Sequence, residues 1–223
     1  VSAVRAVWTD YGGVLTPPVA ETLSRFCAEL GVPVPVYLDA MRRVARDCGA
    51  GDDVMAPLDT PLLSQEEWES RTAAAIHAIS GVRPDLSGQP ARWFADRAVN
   101  EPWIRTLAAL RRRGIFVGLL SNMPPAWDPH WRRAVPPDGL FDGVVLSHAA
   151  GCRKPQPEIF ARAAAQAGVG ADECVLVDDL AANCRGAERA GWRSVEFHDA
   201  VAATARLAGL LAGEPVTVEG TPA

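Results

Sequence analysis

Lysine is almost missing from this chain. Of its 22 basic residues, 21 are arginine, and the exception is Lys154. Genomic base composition can produce such an arginine bias. It still leaves one place where a compact ammonium stands in place of a planar guanidinium fork. Cysteine is sparse too: Cys27, Cys48, Cys152, Cys174 and Cys184 are odd in number, and none forms a C-x-x-C pair. That spacing argues against disulfide and zinc frameworks and makes a reducing cytoplasm the expected compartment. No apolar run approaches the roughly 20 residues a membrane-spanning helix needs, so no membrane partner is expected. The first residues read as a strand, so no secretory signal is expected. Positive charge is in deficit, with a formal net charge of −5. Nucleic-acid binders draw affinity from clustered Lys and Arg, so a nucleic-acid partner is not expected either. Internal repeats and low-complexity runs are absent.

What is present is ample apolar material. Of 223 residues, 48% are hydrophobic and 22% charged, enough for a sizeable core. Ala3 to Thr9 reads as a short buried strand that stops at Asp10, followed by Gly12 and Gly13. A carboxylate at a strand end suits the carboxyl edge of a sheet, where open α/β folds bind ligands. Taken alone, Asp-x-Gly-Gly is ordinary turn chemistry.

From Val19 to about Arg97 the pattern is helical. Helices are expected over Glu21 to Leu30, Pro35 to Cys48, from a Ser64–Glu67 capping box through Ile79, and over Ala91 to Val99. Loops are expected at Gly49 to Pro61 and Gly81 to Pro90. Then strand and helix alternate. Pro102 to Arg113 is helical, Ile115 to Leu120 a strand, and Pro124 to Arg133 polar and tryptophan-rich. Gly143 to Leu146 reads as a strand, Pro157 to Ala167 as a helix and Cys174 to Val177 as a strand. Leu180 to Ala190 follows as a helix, Arg193 to Phe197 as a strand, and Val201 to Ala212 as a last helix before a loose tail, Gly213 to Ala223. Such alternation means βαβ units. The expected fold is α/β, a Rossmann-like parallel sheet with helices on both faces and all strand ends on one edge.

That edge collects chemistry. It gathers Asp10; then Ser121 and Asn122; then Arg153, Lys154 and Pro155; then Asp178 and Asp179, with Asn183 a turn later. Each has an ordinary structural role available, Asp-Asp as a helix cap for example. Together they place three acids and the chain's lysine in a small volume. Two unit charges about 5 Å apart repel by roughly 3 kcal/mol at an effective dielectric of about 20. Such a cluster needs a cation. Oxygen-only ligands point to Mg²⁺, which with Lys154 balances the three carboxylates and lets an anion enter. Backbone N–H groups at Gly12 and Gly13 and the Ser121 hydroxyl would help hold that anion.

This order of motifs resembles the haloacid dehalogenase superfamily, specifically its phosphatases with a helical cap inserted after the first motif. Asp10 matches the family's nucleophile, and GLLSN its second motif, ending in the phosphate-holding Ser121. Lys154-Pro155 matches the third motif and VLVDDLAAN the fourth. The resemblance implies an α/β core over 1–18 and 98–223 and an all-helical cap over 19–97. It implies an Mg²⁺-dependent phosphatase that forms an aspartyl-phosphate on Asp10 and acts on a small phosphorylated metabolite. The metal set would be Asp10, the Gly12 carbonyl, Asp178 and Asp179. The phosphate set would be Gly12, Gly13, Ser121, Asn122 and Lys154. Asn183 would orient the fourth motif through Lys154.

One position departs from the family pattern. The acid expected two residues after the nucleophile is Gly12, in a DYGGVL stretch that looks like a D-x-G-G variant of the motif. Tyr11 is expected to point away from Asp10, and Thr16 is a weak replacement. Two further readings therefore stand beside the first. One is a metal-independent dehalogenase acting on 2-haloacids. The other is a catalytically weak or inactive member that binds a phosphorylated ligand or partner. Substrate contacts are expected from Asp52, Asp53, Met55 and Leu58 and around Trp127 to Trp131. The acidic loop itself is expected to be solvated. Oligomeric state is not legible.

Overall fold

The first strand, β1 (Ala6–Thr9), is fully buried and forms the middle of a five-stranded parallel sheet. The computed structural model describes residues 2–212, and the tail expected over 213–223 lies outside the described residues. After β1 come five helices, α1 (Val19–Leu30), α2 (Val34–Asp47), α3 (Ala56–Asp59), α4 (Gln65–Ser80) and α5 (Gln89–Phe94). The alternating half follows: α6 (Glu101–Arg112), β2 (Phe116–Ser121), a 3₁₀ turn at Pro125–Trp127 and α7 (Asp128–Ala134). It continues with β3 (Gly143–Leu146), α8 (Ser147–Ala150), α9 (Pro157–Ala167), β4 (Cys174–Asp178), α10 (Ala181–Arg189), β5 (Arg193–Glu196) and α11 (Ala200–Ala212).

The sheet order is β3-β2-β1-β4-β5, every neighbouring pair parallel. The chain therefore leaves β1 in opposite directions for β2 and β4, and the carboxyl ends of these strands form the crevice expected at such a switch point. Strand alternation sends Val7, Val175 and Val177 into one core beneath α6, α7 and α11. Trp8, Cys174 and Leu176 go into the opposite core beneath α9 and α10. The polar Thr9 is not left unsatisfied, because Trp103 Nε1 donates to its hydroxyl at 3.0 Å. Helices α1, α2, α4 and α5 pack on one another through Phe26, Tyr37, Met41, Trp68, Ile76 and Trp93.

Local signals hold well where they were strong. Ser64 Oγ accepts from Glu67 N–H at 3.1 Å, and Gly81 ends α4 in the left-handed region at φ +76°. The reciprocal half of the capping box is missing, since the Glu67 carboxylate pairs with Arg71 at 2.5 Å instead. Asn100 caps α6 by accepting from Trp103 N–H. Three segments differ from expectation. The helix expected through Val99 stops at Phe94, with Asp96 turning to φ +52°. Its last residues are held by aromatic packing, Trp93 stacking on Trp127 and Phe94 on His130. The loop expected over Gly49 to Pro61 contains the short helix α3, and α8 was not anticipated.

Trp8 requires an empty lane across the sheet. Its register partner on β2 is Gly118, and a Cβ there would overlap the indole ring. Replacing Gly118 by Ala is expected to destabilise the fold by about 1–3 kcal/mol, the usual cost of overpacking a core. Adding Trp8→Phe to that variant is expected to recover part of the loss. Urea unfolding of the single and double variants checks this.

Candidate active site

Lys154 sits at the centre of the crevice, only 1% exposed, and bonds two carboxylates. Its Nζ donates to Asp10 Oδ1 at 2.7 Å and to Asp178 Oδ2 at 2.5 Å. Burial by itself would lower the lysine pKa. The two carboxylates more than reverse that, and the ammonium is held well above its ordinary value. Burial raises Asp10, Lys154 opposes the rise, and Asp178 adds to it.

Each partner is fixed in turn. Asp10 N–H donates to Val177 O at 2.8 Å, tying the end of β1 to β4. The other oxygen of Asp178, Oδ1, accepts from Leu180 N–H and from Asn183 Nδ2, both at 2.9 Å. Asn183 therefore orients the fourth motif by bonding Asp178 directly, whereas the expectation from sequence was that it acts through Lys154. Asn122, expected in the phosphate set, lines the cavity, and its side chain makes a further contact. Its Oδ1 accepts from Lys154 N–H at 2.8 Å and its Nδ2 donates to Lys154 O at 2.9 Å. The amide grips the lysine's own peptide groups and sets where the ammonium stands. The Lys154–Pro155 peptide is cis.

Asp10, Asp178 and Asp179 each place a carboxylate oxygen within 4.8 Å of the others. Burial first, then Asp10 and Asp178, push Asp179 up to about 7. One ammonium thus under-compensates three acids. Gly13, at φ +78°, lies so close that a Cβ there would overlap the Asp179 carboxylate. Oxygen-only donors, mutual repulsion and this glycine-made space fit a hard divalent cation.

Ser121, Asn122 and Gly12 line the same cavity as Asp10, Lys154, Asp179 and Asn183. Tyr11 packs its ring between Phe94 and Trp131, and burial pushes its phenol to about 12. Thr16 Oγ1 reaches Tyr11 O at 3.4 Å within the turn. Neither fills the role left open at Gly12.

The acidic loop divides. Met55 and Leu58 line the cavity, and so does Trp127, whereas Trp131 is wholly buried in the core beside the sheet. Asp52 pairs with Arg46 at 2.6 Å. Asp53 is exposed, as expected of the loop, and Arg153 bonds it and also bonds Asp59 at 2.8 Å. Asp59 is 1% exposed, and burial pushes it up to about 8, with Lys154 opposing. Ser147 Oγ donates to Asp59 O at 2.7 Å and accepts from Met123 N–H. This clasp joins α3 to the turn carrying Lys154. Asp59 and Arg153 lie 94 positions apart, and no local signal in the sequence links them.

Comparison with known proteins agrees with this architecture. A haloacid dehalogenase (HAD) family enzyme of Bacteroides thetaiotaomicron superposes with a TM-score of 0.64, at 21% identity, over 89% of this chain and 95% of that one. That enzyme has also been crystallised in complex with magnesium and inorganic phosphate. A glyceraldehyde 3-phosphate phosphatase of Methanopyrus kandleri is 37% identical over 42% of this chain and 41% of its own length. A sesquiterpene phosphatase of Aspergillus oryzae is 31% identical over 47% of this chain and 54% of its own. The chain thus spans about two fifths to one half of the length of these curated relatives. A family model for haloacid dehalogenase-like hydrolases matches residues 4–191, and the chain belongs to that family.

Proposed function

We propose that this hydrolase is an Mg²⁺-dependent phosphoric monoester hydrolase that works through an aspartyl-phosphate on Asp10. The observation that carries the reading is the convergence of Lys154, Asp10, Asp178 and Asp179 on one sheet edge. A metal-free dehalogenase has no use for three carboxylates within 4.8 Å of one another. The magnesium found in the Bacteroides enzyme and the phosphatase names of the curated relatives support the same choice. On this reading the described residues of 1–18 and 98–223, namely 2–18 and 98–212, form the core and 19–97 the cap. All five cysteines are free thiols, which supports a cytoplasmic location.

Asp10 Oδ1 is engaged by Lys154, and its Oδ2 has no hydrogen bond from the protein among the described residues. That free oxygen attacks phosphorus. The ester P–O bond breaks, the alkoxide departs and takes its proton from solvent water, and an acyl-phosphate remains on Asp10. Water then adds at phosphorus, the acyl P–O bond breaks, and inorganic phosphate and the free carboxylate are restored. Lys154 keeps Asp10 ionised and offers positive charge beside the equatorial oxygens. Ser121 and the N–H groups of Gly12 and Gly13 hold those oxygens. Asp10, Asp178, Asp179 and the Gly12 carbonyl would hold Mg²⁺, which when bound neutralises charge on the transferred group. Asn122 contributes by placing Lys154, and Asn183 by holding Asp178.

The first test is Asp10→Asn. Release of phosphate from a panel of phosphorylated metabolites is expected to fall to background, and persisting turnover would assign the nucleophile elsewhere.

A second test uses pH. With Asp179 near 7 in the metal-free fold and 3.8 as its ordinary value, the folded chain binds this proton more tightly than the unfolded chain. Metal-free stability from this group therefore falls as pH rises from about 4 to about 7. Mg²⁺ competes with the same proton. Calorimetry is expected to show Mg²⁺ affinity rising from pH 6 to pH 8, with proton uptake by the buffer at pH 7.

The third test concerns Gly12. A Cβ there would meet Val19 Cγ2 at 3.2 Å, and Val19 is 43% exposed and free to yield. General acid–base catalysis is typically worth about 10²–10⁴-fold. Gly12→Asp is expected to raise kcat on alkyl phosphates by at least about tenfold. It should change kcat much less on p-nitrophenyl phosphate, whose leaving group needs no proton. Steady-state kinetics on both substrates measures the difference.

A further inference from the structure

The cavity that opens above Asp10 has a volume of about 290 Å³ and two unlike ends. Its floor is the polar cluster around Lys154. Its far wall is carbon, built from Leu38, Met41, Leu58, Trp68 and Trp93. Two further lining residues, Val19 and Leu180, are 43% and 56% exposed, so apolar surface continues to the solvent side.

The charged groups on this wall are partly used, and the Nε of both Arg97 and Arg153 is buried without a partner among the described residues. Arg153 is bonded to Asp53 and Asp59. Arg97 donates to Pro17 O and lies 5.9 Å from the Trp93 ring centre. Among the lining residues, the buried polar atoms without partners are chiefly donors: the indole N–H groups of Trp68, Trp93 and Trp127, the Nε of Arg97 and Arg153, and the Tyr11 hydroxyl. One acceptor, Asp59 Oδ1, accompanies them. A sugar hydroxyl can accept from such donors, yet each also needs an acceptor for its own proton, and a buried hydroxyl without one is penalised. A hydrocarbon needs none and gains from leaving water.

We infer that the substrate is a phosphate monoester of an apolar alcohol, its hydrocarbon body lodged among the helices and its phosphate on Lys154. The inference rests on the proposed phosphatase reading for the phosphate end alone. Size follows from volume. A cavity of about 150 Å³ holds a benzene ring, so twice that space holds about twelve non-hydrogen atoms. Five belong to the phosphate, which leaves a body of about seven carbons.

The test is a series of n-alkyl phosphates from ethyl to decyl, assayed with Mg²⁺ beside hexose phosphates and glycerol phosphate. The kcat/KM is expected to climb about fourfold per methylene to near heptyl and then level or fall. The polyol phosphates are expected at least about a hundredfold below heptyl phosphate. A flat series, or a hexose phosphate equal to heptyl phosphate, overturns the inference and leaves the phosphatase reading standing.

Binding of the matching n-alkylphosphonates, followed by tryptophan fluorescence, is independent of turnover. Chain-length steps of the same size support the inference even where nothing is hydrolysed, in which case the phosphatase reading alone fails. Length-independent binding overturns it. Leu38 is only half-buried, so Leu38→Asn is expected to keep the fold. It should weaken heptylphosphonate by about tenfold and leave ethylphosphonate unchanged. An equal loss for both counts against the apolar wall.

Discussion

A buried ammonium between two buried carboxylates is the constraint around which this molecule is arranged. Lys154, Asp10 and Asp178 are 1%, 8% and 0% exposed. Taking such charges out of water costs several kcal/mol per ion, and their attraction offsets that only with good geometry and full hydrogen bonding. The protein supplies both. Asn122 fixes the lysine backbone, while Asn183 and Leu180 N–H satisfy the outer oxygen of Asp178. Both lysine bonds are 2.7 Å or shorter. Lys154 is thus the one basic position in an arginine-rich chain where a guanidinium would not fit. A planar fork needs bidentate partners in its own plane, whereas these carboxylates converge from two strands on a point.

Close approach of backbone to side chain sets the geometry around that point. Gly13 gives Asp179 its space. At Gly186 on α10, a Cβ would meet Pro155 Cβ at 2.5 Å and Pro155 O at 2.9 Å. The helix following the two aspartates therefore presses directly on the turn that carries the lysine. Gly118 lets Trp8 lie flat beneath the sheet, in ring contact with Phe116 at 5.3 Å. The glycines in these places are packing devices that bring β1, β2 and β4 to a common edge. None is explained by loop flexibility.

The legible part of this protein was the part written in neighbouring residues. Strand and helix periods, the Ser64 cap, the left-handed Gly31, Gly81 and Gly168, and the strand-end acids are local patterns, and the fold keeps them. The illegible part depends on pairs far apart in the chain. Arg153 was visible only as a neighbour of Lys154, and Asp59 as one acid in a loop of turn residues. Their bond spans 94 positions. Asn122 followed the serine of an anion-binding motif, so its type suggested the anion. Only the position of the Lys154 peptide shows what its amide actually grips. Trp93 fell within an expected helix and Trp127 within a tryptophan-rich segment, but their stacking across 34 positions is a tertiary fact.

The clasp between α3 and the lysine turn explains why the two ends of the cavity differ so much. Arg153 takes up Asp53 and Asp59, and Ser147 fixes the Asp59 carbonyl, so the acids of the α3 segment are held by a guanidinium. Left unpaired, they would repel a phosphate dianion across a poorly screened cavity. With that charge consumed, the helical wall presents apolar side chains and the sheet edge presents the charge. On the proposed reading, phosphate recognition would belong to strand ends locked by the sheet register. Recognition of the body would belong to the helices α1 to α5, whose side chains can change size without moving Asp10, Lys154 or Asp178. A hydrolase built this way could change its alcohol without disturbing its chemistry, because the two tasks would use different elements.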